Sequence, residues 1–152
     1  MEGTVDVRIR KVRSSDLEQV LETYRAAGLE TRGSLSLKTA QGVFERMSSY
    51  PNYHLYVAEV DGSVCGTFAL LIMDNLANGG RLSGIVEDVA VRRDLQGRGI
   101  GKAMMAFAMS ECKRSGCYKM MLSSNEIRTD AHKFYESLGF VRHGYSFRVE
   151  LD

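Results

Sequence analysis

Residues 89–102 read VAVRRDLQGRGIGK, a run in which an apolar strand enters a basic turn, a glycine-rich loop and then an apolar helix. Glycine adopts positive φ readily and lets the backbone approach a ligand, so Gly97, Gly99 and Gly101 predict a loop of that kind. A helix that begins near Ile100 presents unpaired N–H groups and the positive end of its dipole. Four cations and a single anion lie in the same run. The run therefore predicts a binding site for a phosphate or pyrophosphate.

Two common glycine loops do not fit this run. A Walker A loop requires Gly-x-x-x-x-Gly-Lys-Ser/Thr, but Gln96 and Ala103 occupy its first and last positions. The dinucleotide fingerprint Gly-x-Gly-x-x-Gly would place its third glycine at Lys102 or Met104. Residues 96–101, QGRGIG, instead match the pattern Gln/Arg-x-x-Gly-x-Gly/Ala.

This six-residue pattern resembles the coenzyme A pyrophosphate loop of the GCN5-related N-acetyltransferase (GNAT) superfamily. Residues 134–140, FYESLGF, extend the resemblance, which covers roughly residues 5–151. It implies acetyl-CoA as cosubstrate and acetyl transfer to an amine. It also implies that the strand before the loop pairs with the pantetheine arm and that the loop amides bind the pyrophosphate. The residues that it places against the cofactor are Val89, Ala90, Val91, Gln96, Gly97, Arg98, Gly99, Ile100, Gly101, Lys102, Asn125 and Tyr135.

Two adjacent acids, Glu87 and Asp88, interrupt the apolar strand, where a carboxylate is costly unless it is paired or solvated. Successive strand residues point to opposite faces, so we expect only one acid to face the thioester. We expect Glu87 to be the general base, directly or through a water, with Asp88 as the second candidate. An ion pair with an arginine such as Arg81 is an equally good explanation of the acids. By the resemblance, a backbone N–H near Val89 faces the thioester oxygen.

Tyr135 is the candidate general acid. A phenol, with an ordinary pKa of ~10, can protonate a thiolate whose conjugate thiol has a pKa of ~8.5. The resemblance implies this role, and the alternative is an aromatic ring packed beside Phe134 and Phe140. The resemblance likewise implies that Asn125 contacts the pantetheine chain, and the alternative is a turn residue.

Composition limits the class of protein. The 152 residues are 44% hydrophobic and 26% charged, with no linker, which predicts one domain over residues 1–152. A net charge of +1 argues against broad nucleic-acid binding. No apolar run approaches the ~18 residues of a membrane span, and the start lacks the features of a signal peptide. The three cysteines have no metal-binding spacing, so we expect a metal-free, cytoplasmic protein.

Hydrophobic periodicity predicts the order β-α-α-β-β-β-α-β-α-β-β. This order predicts an α/β, single-domain GNAT-like fold: a mixed, mostly antiparallel sheet of about seven strands with about four helices. The Asp61-Gly62 dipeptide predicts a tight hairpin between two of the strands. The two closing strands are expected at residues 140–141 and 145–151.

Two branches of the superfamily resemble this chain around the acceptor site. Residues 85–91, IVEDVAV, and 116–119, GCYK, are similar to the glucosamine-6-phosphate N-acetyltransferases, although Ser123, Ser124 and Asn125 stand where that branch carries a second acid. Residues 130–135, DAHKFY, are similar to aminoalkylphosphonate acetyltransferases. We therefore expect a small-molecule primary amine as acceptor. The alternatives are a protein or peptide N-acetyltransferase and a non-catalytic acetyl-CoA-binding module.

The acceptor is expected between two polar loops, residues 29–36 and 74–83. The polar side chains available there are Tyr24, Arg32, Asp74, Asn75 and Arg81. The resemblance also implies a homodimer.

Overall fold

The computed structural model describes residues 5–30 and 32–152, which contain five β-strands and four α-helices. Residues 1–4 of the predicted domain and Thr31 of the predicted acceptor loop lie outside the described residues. The strands are β1 (Arg8–Lys11), β2 (Tyr53–Val60), β3 (Ser63–Met73), β4 (Leu82–Val91) and β5 (Cys117–Met121). The helices are α1 (Leu17–Ala26), α2 (Leu37–Ser48), α3 (Ile100–Ser115) and α4 (Thr129–Ser137). The chain divides into a first compact unit that ends at Met121 and a second unit from Leu122 to Asp152.

The strands form one sheet in the order β1-β2-β3-β4-β5. The first four strands pair antiparallel, and β5 pairs parallel to β4. The α/β class, the mixed and mostly antiparallel sheet and the four helices are confirmed. The Asp61-Gly62 hairpin between β2 and β3 is confirmed too, with φ of 50° and 79° at its two residues. The expected strand number is wrong, because the sheet has five strands rather than about seven.

The two missing strands are those expected after α4. The Phe140 N–H donates to the Tyr135 carbonyl at 3.1 Å, so Phe140 completes the C-terminal turn of α4 instead of starting a strand. Residues 145–151 keep the alternating pattern, but their apolar side chains are exposed, with Tyr145 and Phe147 each at 92%. Alternation of apolar and polar residues predicts that one face of the segment is apolar. A β-strand forms only when the backbone of that segment also pairs with the edge strand of a sheet. The prediction of a single domain over residues 1–152 stays a prediction.

The core of the first unit lies on both faces of the sheet. Val57 of β2 packs with Leu17 and Val20 of α1, and Phe44 of α2 packs against the same cluster. The next residue back, Tyr56, points to the opposite face, where its ring lies 5.2 Å from Phe68 and 5.1 Å from Phe107 of α3 between centroids. The sheet therefore has an α1/α2 face and an α3 face.

Helix α3 lies very close to β3. A Cβ added at Gly66 would come within 2.8 Å of the Met104 Sδ and 3.2 Å of the Ile100 Cγ2, so any residue larger than glycine there requires these α3 side chains to move. Ile100 and Met104 belong to the first two turns of α3, the end that follows the glycine loop. This contact therefore fixes the height of the loop above the sheet. None of the helices that the structure describes is both long and apolar enough to cross a membrane.

A partly buried ion network holds β1 to the entrance of α1 and to β2. The Arg10 guanidinium lies 2.7 Å from an Asp16 carboxylate oxygen and 2.6 Å from a Glu59 carboxylate oxygen. Asp16 also accepts a 2.7 Å hydrogen bond from the Arg13 backbone N–H, just before α1 begins. One guanidinium thus joins three elements on the α1 side of the sheet.

Candidate active site

A β-bulge in β4 positions the two acids. Thr67 of β3 pairs with Ala90 and Ala69 pairs with Glu87, so a single β3 residue lies opposite both Asp88 and Val89. Asp88 has φ of 51°, the left-handed conformation that aspartate adopts more readily than most side chains. The bulge places the extra residue at Asp88.

The bulge leaves both acids exposed, and the expectation that only one of them faces the thioester stays a prediction. Glu87 and Asp88 are both exposed, whereas Val86 and Ala90 on either side are buried. Ala69 pairs with Leu55 on one side and with Glu87 on the other, and directly paired residues share a face of the sheet. Because Leu55 packs in the α1/α2 cluster, Glu87 belongs to the α1/α2 face.

Two phenols are close enough to the acids to be affected by their charge. Burial, and then the charge of Asp88, raise the pKa of Tyr24, while the Thr67 hydroxyl acts in the opposite direction. Burial, Asp88 and Glu87 raise the pKa of Tyr53. Both phenols are therefore protonated at neutral pH and able to donate hydrogen bonds on this face.

The acids themselves bind protons more tightly than ordinary carboxylates. Desolvation by the surrounding protein raises the pKa of Glu87, and the neighbouring Asp88 charge raises it further. Desolvation also raises the pKa of Asp88. A carboxylate with a raised pKa is a stronger base, which is the property that proton abstraction from an ammonium requires.

The alternative explanation of the acids, an ion pair with Arg81, is not what the structure has. The Arg81 guanidinium lies over the Tyr118 ring, 5.9 Å from its centroid. Within residues 5–30 and 32–152, neither Glu87 nor Asp88 has an ion pair with a lysine or arginine. The two carboxylates are thus left available to a cationic partner.

The strand after the bulge has an open edge within the first unit. β4 pairs with β5 only from Leu82 to Ile85, because β5 ends at Met121, opposite Ile85. Residues 86–91, which include the predicted pantetheine-binding residues Val89, Ala90 and Val91, extend beyond that ladder. Backbone groups on this edge can therefore pair with an extended ligand.

The glycine loop follows directly. Gly97 and Gly99 have φ of 80° and 85°, as predicted, but Gly101 lies in the first turn of α3 with helical backbone, so the expectation of positive φ there is wrong. Helix α3 begins at Ile100, one residue before Gly101, so Gly101 has the negative φ of a helical residue. In the part of the chain that the structure describes, the amides of Gly97, Gly99, Ile100 and Gly101 donate to no backbone carbonyl.

Side chains stabilise the loop from the β4 side. The Gln96 amide donates to the Val91 carbonyl at 3.3 Å, which ties the loop back to the end of the strand. Arg92 forms a 2.7 Å ion pair with Asp94, the only anion of the basic run. Lys102 is exposed, on the first turn of α3, and Arg98 is partly buried in the loop. The amides and cations of this loop suit a pyrophosphate.

Tyr135 belongs to the second unit, on α4. Its ring centroid lies 5.2 Å from that of Phe134 and 5.5 Å from that of Phe140, so the packed aromatic group expected as the alternative does form. Burial raises the pKa of Tyr135, and the Arg128 charge opposes this effect. The phenol is therefore protonated at neutral pH, as a general acid must be. Packing and acid chemistry are compatible, since packing uses the ring and catalysis the hydroxyl.

Asn125 also lies in the second unit, in the turn before α4. Its Oδ1 accepts a 3.1 Å hydrogen bond from the Ile127 N–H, which is the turn geometry foreseen as the alternative role. Its backbone carbonyl lies 2.8 Å from the His132 Nε2. The turn bond occupies the amide oxygen, and a pantetheine contact would use the amide nitrogen.

Sequence reasoning missed Tyr53, which it treated as an ordinary strand residue. Its closeness to Glu87 and Asp88 comes from the pairing of β2, β3 and β4, and no local pattern signals it. Among the described residues, no three or more histidine, cysteine or acidic side chains are grouped so as to hold a metal ion.

A comparison with protein families finds that a family described as "Acetyltransferase (GNAT) family" matches residues 17–140. A glucosamine 6-phosphate N-acetyltransferase of Trypanosoma brucei brucei is 28% identical over 99% of this chain and 100% of its own. An aminoalkylphosphonate N-acetyltransferase of Salmonella typhimurium is 30% identical over 66% of this chain and 65% of its own. A solved structure described as a putative acetyltransferase from Agrobacterium tumefaciens is 30% identical, with a TM-score of 0.88 over 95% of this chain and 99% of that one.

Proposed function

Because the chain belongs to the acetyltransferase (GNAT) family and is an acyltransferase, we propose that it moves an acetyl group from acetyl-CoA to the primary amine of a small molecule, by direct attack of the amine. The β-bulge of β4 is the observation that carries this proposal. It presents Glu87 and Asp88 at the start of an open strand edge that leads straight into the glycine loop. Along residues 87–102, the proposed base is therefore followed by a strand edge that can pair with the pantetheine arm, and then by the anion site.

Each part of this arrangement has a role in the proposed reaction. The loop amides from Gly97 to Lys102 bind the pyrophosphate, and the edge of Val89 to Val91 binds the pantetheine arm. The Val89 N–H donates to the thioester oxygen, which gains negative charge as the amine attacks. Glu87 takes a proton from the substrate's ammonium, directly or through a water, which frees the lone pair of the amine to attack the thioester carbon, and Asp88 strengthens the basicity of Glu87 by its charge.

The remaining roles belong to the second unit. Tyr135 gives its phenolic proton to the departing thiolate, and the aromatic neighbours fix its ring. Asn125 contributes its amide nitrogen to the pantetheine chain. These two assignments rest on the resemblance to the family.

The acceptor is proposed to be small. Amino-sugar phosphates and aminoalkylphosphonates are the first candidates, because two similar proteins are named for them. A protein or peptide acceptor is the second candidate, and a non-catalytic acetyl-CoA-binding module is the third. Turnover of any amine distinguishes an enzyme from a binding module. A panel of acceptors distinguishes a small-molecule enzyme from one that acts on proteins or peptides.

A thiol-release assay with acetyl-CoA tests the proposal against glucosamine, glucosamine 6-phosphate, 2-aminoethylphosphonate, polyamines and short peptides. We expect turnover of at least one small amine, and we expect Glu87→Gln to lower kcat on the order of 100-fold with acetyl-CoA binding retained. Asp61→Asn is the matched control, since Asp61 lies in the β2–β3 hairpin in a left-handed conformation that asparagine also accepts. Tight acetyl-CoA binding without turnover of any amine would favour the binding module.

We propose a homodimer, supported by the exposed apolar side chains of residues 145–151. Exposed alternating residues of this kind suit strand pairing with a second copy. Light scattering after size exclusion should give twice the 17.0 kDa chain mass, and Phe147→Lys should shift it towards one chain mass. A mass of 17.0 kDa for the unmodified protein would contradict the proposal.

A cytoplasmic location is also proposed. Cys65, Cys112 and Cys117 are all free thiols, which is the state favoured by a reducing compartment. Fractionation of cells that make the protein would test it.

A further inference from the structure

Two of the three cysteines lie at the junction between α3 and β5. Helix α3 ends at Ser115, Gly116 has φ of 85°, and Cys117 begins β5. The Gly116 N–H donates to the carbonyls of Cys112 and Lys113. In a helix end that is closed by a left-handed glycine, the residue after the glycine frequently contacts the side chain five positions before it. In this helix end those two side chains are Cys117 and Cys112.

The strand register places both thiols on the α3 face of the sheet. Cys117 pairs with Leu82 of β4, and Leu82 shares a face of that strand with Gly84, two residues further on. A Cβ added at Gly84 would overlap the Cys112 Sγ, so this face of β4 is the one that Cys112 covers. The helix cap and the strand pairing thus bring Cys112 and Cys117 together at the start of the β4–β5 ladder.

The two thiols differ in exposure. Cys112 is only 4% exposed, whereas Cys117 is half-buried. Burial, and then the neighbouring Cys117, raise the pKa of Cys112, which keeps that thiol protonated at neutral pH. Oxidation of a cysteine by a peroxide follows its exposure and its thiolate character. Cys117 is therefore the thiol that a peroxide meets first, and Cys112 is the thiol beside it.

We propose that Cys112 and Cys117 form a peroxide-sensitive pair that closes reversibly to an intrachain disulfide between α3 and β5. The Cys117 sulfur attacks hydrogen peroxide, the O–O bond breaks, and a sulfenic acid and water result. The Cys112 sulfur then attacks the Cys117 sulfur. The S–S bond forms, the S–O bond breaks, and the hydroxide leaves with the Cys112 proton as a second water. Both sulfurs are oxidised and the peroxide is reduced, in a site that the proposed acetyl transfer does not use.

Hydrogen peroxide in slight molar excess over the unmodified protein tests the pair. After denaturation in an alkylating agent, the number of alkylated cysteines should fall from three to one, and dithiothreitol should restore all three. Trypsin cleaves after Lys102, Lys113, Arg114 and Lys119, so the disulfide should join peptide 103–113 to peptide 115–119. The mass of the linked product should be that of both peptides less two hydrogens. This measurement identifies the pair without any substitution.

Three variants separate the roles of the cysteines. Cys117→Ser should keep both of its remaining thiols after peroxide treatment, since Cys112 is shielded. Cys112→Ala should instead accumulate a sulfenic acid on Cys117, which dimedone traps. Cys65→Ser is the matched control and should still form the linked peptide, because the buried Cys65 thiol donates to the Ala58 carbonyl at 3.3 Å, away from the pair.

Three results would overturn the proposal. The first is that all three cysteines of the unmodified protein are still alkylated after peroxide treatment. The second is a linked peptide that contains Cys65 or joins two chains. The third is a loss of thiols that dithiothreitol does not reverse, which would indicate oxidation beyond the sulfenic acid.

Discussion

At residue 87, a carboxylate gains basicity from its surroundings rather than from a partner. Desolvation and the adjacent Asp88 raise the pKa of Glu87, and no cation among the described residues is paired with it to lower the pKa again. The unprotonated form of Glu87, which the proposed proton transfer needs, is therefore lost at a higher pH than for an ordinary glutamate, whose pKa is ~4.3. The same shift that improves the base also limits the pH range in which it works.

This shift predicts the pH dependence of the reaction. The value of kcat/KM should fall as pH decreases, with an apparent pKa above ~4.3, because protonated Glu87 cannot accept the ammonium proton. Asp88→Asn should move this apparent pKa down, since it removes the neighbouring negative charge. Initial rates measured across a pH series for the unmodified protein and Asp88→Asn check this, and an acid limb at the same pH in both would contradict it.

Among the elements, helix α3 links the sheet to the glycine loop. Its first two turns contact Gly66 of β3, and its N-terminal amides continue the glycine loop. A displacement of α3 away from the sheet would therefore move the loop as well. The close contact between α3 and Gly66 therefore contributes to core packing and also positions the proposed anion site.

Two glycine-to-alanine substitutions should have opposite effects on stability. Gly66→Ala places a Cβ 2.8 Å from the Met104 Sδ and should destabilise the fold by about 1–3 kcal/mol through overpacking, and it should also raise the KM of acetyl-CoA. Gly42→Ala lies inside α2, where a Cβ meets nothing closer than an Arg46 side-chain nitrogen at 4.0 Å, and should stabilise the helix by up to about 1 kcal/mol. Denaturant unfolding of both variants measures the difference. A Gly66→Ala protein as stable as the unmodified one would show that α3 is not held at this height by the glycine.

Local patterns predicted the elements that depend on local chemistry. The Asp61-Gly62 turn, the range of β2 and the left-handed Gly97 and Gly99 all follow from residue type and period. The bulge at Asp88 could not be predicted in this way, because it depends on the register between β3 and β4, which the residue pattern of β4 alone does not specify. Closeness of Tyr53 to the acids has the same origin. The residues after α4 show the opposite error, since their alternation is real but the backbone pairing is not formed.

In the whole molecule, two sets of carboxylates respond to pH in opposite directions. Hydrogen bonding to Arg10 holds the pKa of Asp16 below its usual value, so its contribution to stability is present above the unfolded pKa of ~3.9 and is lost as pH falls through the folded value. The pKa values of Glu87 and Asp88 are raised instead, so these acids reduce stability as pH rises above the unfolded values. As pH falls, loss of the Asp16–Arg10 pair therefore destabilises the fold, while protonation of Glu87 and Asp88 acts in the opposite direction.

Asp16→Asn should lower the free energy of unfolding at pH 7 by about 2 kcal/mol, because it leaves the partly buried Arg10 with one carboxylate instead of two. The difference from the unmodified protein should begin to shrink as pH falls below ~3.9, where Asp16 binds a proton in the unfolded chain, and should be lost below the lowered pKa of the folded Asp16. Denaturant unfolding across a pH series measures both. A loss at pH 7 that stays constant down to pH 3 would mean that packing, and not the ion pair, explains the effect.

The left-handed backbone of Asp88 affects which variants selection for stability or for activity would favour. A side chain in that conformation is strained, and glycine at residue 88 would relax it and stabilise the chain. Selection of variants only for heat resistance should therefore favour substitution of residue 88 and would remove a carboxylate from the proposed reaction centre. Selection for heat resistance and selection for turnover should thus favour different residues at this one position.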